Sequence, residues 1–136
     1  MEAEKIITTV KEYLSAQPDV AAAYVFGSAA RGGLRAASDA DIAVLFSPGV
    51  TAKTARFERR LEIAIALEEL LKRPVEVTDL EAAPPFLQHQ IRKYGKLVVD
   101  KDPQRRKACE VASRRLYLDM LPYLRYRRER ALERLG

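Results

Sequence analysis

The stretch that decides the fold reads Phe26-Gly27-Ser28-Ala29-Ala30-Arg31-Gly32, followed by Ser38-Asp39-Ala40-Asp41-Ile42-Ala43-Val44. Val20 to Phe26 is a short, apolar, β-rich run and predicts a buried strand ending at Gly27-Ser28. Asp41 to Phe46 predicts a second strand, closed by Ser47, Pro48 and Gly49. Between them residues 29–36 are small and basic, and Gly32-Gly33 breaks any long helix.

Working outward, Ile6, Ile7, Val10 and Leu14 recur at helical spacing over residues 3–16, and Pro18 stops the pattern. Residues 53–72 carry a wide apolar face with Phe57, Leu61, Ile65 and Leu67, and charges fill the remainder. Pro74 to Asp79 alternates with period two and predicts a third strand. Pro84-Pro85 opens a helix to Tyr94 with Gly95 as its cap, and Lys96 to Val99 predicts a fourth strand. Asp102 or Pro103 then opens a helix to about Met120, and Pro122 starts a last one to Leu135. This order predicts an α/β fold, a small mixed sheet flanked by helices, with a C-terminal helical pair.

The chain has 136 residues, enough for one domain with a real core, and its 48% apolar content excludes disorder throughout. A single cysteine forms no internal disulfide and fits a reducing compartment. No apolar run approaches the ~20 residues of a membrane span, and none follows the N-terminus as a leader would. The expectation is a cytoplasmic protein. Net charge is +5, which suggests nucleic acid, but residues 1–100 carry 13 basic and 14 acidic side chains, whereas 101–136 carry 11 and 5. The basic excess therefore belongs to the last quarter of the chain. That quarter also holds Leu116, Leu118, Leu121, Leu124, Leu132 and Leu135. A pair of amphipathic helices of this kind reads as a protein dock in preference to a surface for polymeric nucleic acid. The expected division is a core over 1–100 and a docking segment over 101–136. Tyr117, Tyr123 and Tyr126 suit either a core or a partner interface.

Asp39 and Asp41 stand two apart, so a strand presents both carboxylates on one face. Unpaired, they repel; a divalent cation removes that cost. Mg²⁺ is usually held by one or two carboxylates plus substrate phosphates, and such a pair can bridge two ions. Gly27 permits close backbone approach to a phosphate, and Ser28 with the following N–H groups can donate to it. Arg31 is within reach of the same anion. Together these suggest a nucleotide triphosphate as substrate. Glu76, between Val75 and Val77, is the preferred third carboxylate, because Asp79 has the opposite parity.

Gly27-Ser28, ten residues, then Asp39-x-Asp41 leading into a strand resembles the polymerase-β-like nucleotidyltransferase superfamily. More narrowly, the chain is similar to minimal nucleotidyltransferase (MNT) domain proteins, antitoxins of HEPN/MNT toxin–antitoxin pairs. Asp102-Pro103, Tyr117-Leu118-Asp119 and Pro122 extend that similarity into the C-terminal helices. The resemblance implies transfer of AMP from ATP to a tyrosine hydroxyl of a HEPN-domain RNase toxin, docked through the C-terminal helices. It implies a triphosphate on Gly27 and Ser28, two Mg²⁺ ions on Asp39 and Asp41, and a third acidic position at Glu76, where the family usually has Asp. That departure motivates an alternative in which the partner is neutralised by binding alone. A small-molecule acceptor is disfavoured, since about 36 residues after the fourth strand leave little room for an acceptor-binding domain.

Overall fold

The computed structural model describes residues 2–27, 39–50 and 52–135. Within them four helices and four strands follow in the order α1 (Glu2–Ser15), β1 (Val20–Phe26), β2 (Ala40–Phe46), α2 (Lys53–Leu71), β3 (Val75–Asp79), α3 (Pro85–Tyr94), β4 (Lys96–Asp100) and α4 (Pro103–Leu135). The strands form one mixed sheet in the order β3-β2-β1-β4. β1 runs antiparallel to β2 and to β4, while β2 and β3 are parallel, joined by the α2 crossover.

Strand periodicity divides the core between the two faces of the sheet. Ala40, Ile42, Val44 and Phe46 of β2 pack with Val75 and Val77 of β3 against Ile6, Val10 and Leu14 of α1 and Ile63 and Leu67 of α2. Ala43 and Leu45 face the other way and pack with Tyr24, Leu80 and Ile91, beneath α3 and α4. Each fully buried aliphatic side chain stabilises the fold by roughly 1.5–3 kcal/mol. β1 and β2, at the centre, are buried nearly throughout.

Guanidinium groups pin the helices to the sheet. Arg59 of α2 holds Asp19 through two contacts of 2.6 and 3.1 Å and donates to Gln17 at 2.7 Å. Arg106 of α4 forks onto Asp100 at 2.9 and 3.0 Å and reaches Glu110 at 2.9 Å, and the Tyr24 hydroxyl donates to Glu110 at 3.1 Å. Arg105 donates to the Phe46 carbonyl at 2.8 Å and pairs with Glu81. His89, in a polar sequence context, stacks flat on Tyr117 at 4.1 Å between ring centroids. Burial and the charges of Arg92, Lys93 and Arg114 hold its pKa below the ordinary histidine value.

The expected C-terminal helical pair is a single helix. α4 runs 33 residues with Pro122 inside it. A proline removes one i→i−4 hydrogen bond and crowds the preceding turn. Strong helix formers on both sides, such as Leu121, Leu124, Arg125 and Arg127, carry the helix across that defect. From Pro122 to Leu135 every side chain is exposed, including Tyr123, Tyr126 and Leu132. Arg127 lies over the Tyr123 ring and Arg130 over the Tyr126 ring.

Candidate nucleotidyl-transfer site

The ladder brings distant residues into one row. Phe26 at the end of β1 sits opposite Asp41 of β2, and Asp41 sits opposite Glu76 of β3. Adjacent strands lie about 4.8 Å apart, so the Asp41 and Glu76 side chains rise side by side from one face. Asp39, two residues earlier and of the same parity, lies exposed just before β2. Three carboxylates separated by up to 37 positions in the sequence thus share one corner of the sheet. Asp79 is on the opposite face. Its side chain, 8% exposed, pairs with Arg56 of α2 at 2.9 Å.

The grouping has an electrostatic signature. The Asp41 carboxyl is held above its ordinary range, first by burial, then by the negative charges of Glu76 and of Asp39. Each of the two neighbours is thus close enough to oppose its ionisation.

Gly27 completes the corner. Its φ is +70°, the left-handed region that favours glycine, and it turns the chain immediately after β1. A Cβ at this position would overlap the Asp41 Oδ2 and approach its Cγ to 3.3 Å. Only glycine therefore lets the backbone pass this close to the carboxylate. Ser28 and Arg31, the expected phosphate ligands, lie outside the described residues.

Among the described residues no three His, Cys, Asp or Glu side chains are drawn together into a ready metal cage. Mg²⁺ does not need one, because it takes one or two carboxylates and completes its shell with phosphates and water. The donor chemistry fits such an ion. Asp41 is a hard oxygen ligand whose ionised form is opposed by two like charges, and a cation relieves that repulsion. Glu76 reaches the row from a neighbouring strand.

Sequence reasoning missed the Arg56–Asp79 pair and the Arg105 anchor, which join residues far apart in the chain, and the Arg106 fork that ties the start of α4 to Asp100 at the end of β4. It also missed a recess beside Gly27, lined by Phe26, Gln90 and Tyr94. The only signal for that recess was the placement of Gln90 and Tyr94 four apart on α3, which puts them on one helix face.

A mixed sheet with paired acids at the start of its second strand and a glycine turn ending its first is the architecture of a nucleotidyltransferase. The model of the polymerase beta nucleotidyltransferase family matches residues 8–104, and the chain belongs to that family. A toxin–antitoxin crystal structure with AMP-PNP contains a chain 26% identical, with 97% of each chain covered and a TM-score of 0.66. The toxin–antitoxin MntA–HepT structure contains one 25% identical, with 98% of this chain and 96% of that chain covered and a TM-score of 0.59. The complex of a tri-AMPylated Shewanella oneidensis HEPN toxin with MNT antitoxin shares the fold at 24% identity, with 99% and 98% covered and a TM-score of 0.63. No curated protein matches the chain.

Proposed function

We propose that this chain is the antitoxin of a HEPN toxin pair and that it transfers AMP from ATP to a tyrosine hydroxyl of its partner in the cytoplasm. The observation that carries the reading is the row Phe26–Asp41–Glu76 with Gly27 against Asp41. Similarity across nearly the whole chain to a toxin–antitoxin structure with AMP-PNP supports it. A complex alike in fold holds a HEPN toxin that carries the product of this reaction, AMP on protein.

In this reading Asp39, Asp41 and Glu76 hold two Mg²⁺ ions, and Gly27, Ser28 and Arg31 cradle the triphosphate. Bound Mg²⁺ supplies positive charge to the phosphate oxygens. Glu76 accepts the proton of the attacking hydroxyl. The hydroxyl oxygen forms a bond to the α-phosphorus as the bond to the bridging oxygen breaks, and pyrophosphate leaves. Catalysis is mainly positioning, achieved by strands that fix the acids in register.

Residues 1–100 form the catalytic core and residues 101–136 the dock. The turns of α4 after Leu121 present Tyr123, Leu124, Tyr126 and Leu132 to solvent among arginines, a composition suited to a protein interface. The same open surface favours a second reading, neutralisation by binding alone. Co-expression with the toxin separates the two. Under the first reading Asp39→Asn with Asp41→Asn abolishes rescue at normal protein levels; unchanged rescue supports the second.

A further inference from the structure

Beside the carboxylate row, between the end of β1 and the last turn of α3, lies an open recess of about 210 Å³ lined by Phe26, Gly27, Gln90 and Tyr94. Its position follows from the ladder: Phe26 is the residue opposite Asp41, and Gly27 is the glycine that abuts the Asp41 carboxylate. A phosphate held at that corner therefore has this recess as an immediate neighbour.

The lining is chemically specific. Phe26 is half-buried and forms an aromatic wall. Tyr94 is 55% exposed, although it closes a helix that packs on the sheet. The ammonium of Lys93 lies over its ring at 5.3 Å from the centroid, which leaves the ring polarised and held at the mouth of the recess. Gln90, one helical turn before Tyr94, is half-buried and lines the recess. A flat aromatic ligand with hydrogen-bonding edges suits two aromatic side chains and a carboxamide. Glutamine's donor–acceptor pair matches the N6 and N7 edge of adenine, and base–aromatic stacking tolerates any base.

We infer that this recess is the base subsite of the nucleotide donor, in which Phe26 and Tyr94 provide the stacking surface and Gln90 reads adenine. The inference rests on the nucleotidyl-transfer reading and adds to it the residues that select the base.

The test is calorimetric titration of the full chain with ATP, CTP and inorganic tripolyphosphate, each with Mg²⁺. Tyr94→Ala weakens ATP and CTP about tenfold or more, Tyr94→Phe preserves both, and neither changes tripolyphosphate binding. Gln90→Ala weakens ATP about tenfold and leaves CTP unchanged, erasing the preference. Thermal melts of each variant confirm folding, which the exposure of Tyr94 favours. If ATP and tripolyphosphate bind but Tyr94→Ala leaves their affinity ratio as in the parent, the subsite assignment is wrong and the transfer reading stands. If Tyr94→Ala raises only the KM for the acceptor protein, the recess holds the acceptor, and the assignment is again overturned. If neither ATP nor tripolyphosphate binds, the transfer reading falls and the subsite with it.

Discussion

Gly27→Ala separates geometry from stability at the proposed site. The added methyl overlaps Asp41 Oδ2, and ordinary contact requires 3.4–4 Å, so the carboxylate has to swing aside by about 1 Å. A carboxylate rotates easily, so this displacement itself contributes little to unfolding. The remaining cost is the φ of +70°, which any residue with a Cβ resists by about 1–2 kcal/mol. Misplacing a catalytic group by 1 Å lowers rates about 100-fold. The variant is therefore expected to lose 1–2 kcal/mol (about) in urea unfolding and about 100-fold in AMP transfer to the partner, measured by intact mass over time. In an Asp41→Ala background the same substitution retains its strain and has no further effect on transfer. The reasoning fails if Gly27→Ala transfers AMP at the parent rate, or if its stability loss exceeds about 3 kcal/mol, since that would place backbone in the way.

Other outcomes follow from the same structure. Asp41→Asn is expected to stabilise the metal-free protein by about 1 kcal/mol, or about 4 °C, because it removes a charge disfavoured first by burial and then by repulsion from Glu76 and Asp39. The sign is set by the raised folded pKa. The penalty is absent below the unfolded value near 3.8, grows as pH rises from there to the raised folded value and is constant above it, so the advantage of Asn is small at pH 3 and full at pH 7 in thermal melts. Arg56→Met leaves Asp79 charged and buried on the far face and is expected to cost about 3 kcal/mol in urea unfolding, with Asp79→Leu restoring most of it. Truncation after Leu121 removes only exposed side chains of α4 and is expected to leave the melting temperature within about 2 °C while abolishing co-purification with the toxin.

The sheet was legible because its strands are short apolar or alternating runs bounded by glycine and proline, and the period-two pattern places Glu76 and Asp79 on opposite faces. The pairing of Asp41 with Glu76 is a register, set by the α2 crossover, and no local pattern states it. Pro122 misled because proline's preference for a helix start is a statistical tendency, and an exposed helix can absorb one missing hydrogen bond. In the sequence Arg105 and Arg106 belong to the basic excess of the last quarter, with nothing local to name their partners. Their partners Phe46, Glu81 and Asp100 lie on other elements, and only the tertiary fold reveals them as anchors. The charge excess of the last quarter thus divides into arginines at the start of α4 that hold it to the core and arginines from Arg114 onward that face outward.

The most direct test of the central claim is intact-mass analysis of the HEPN-domain toxin after incubation with this chain, ATP and Mg²⁺. The account predicts a toxin heavier by one or more AMP units, with the mass on tyrosine, and no gain with the Asp39→Asn, Asp41→Asn chain. An unmodified toxin that is nevertheless neutralised, or equal modification by the doubly substituted chain, would contradict it.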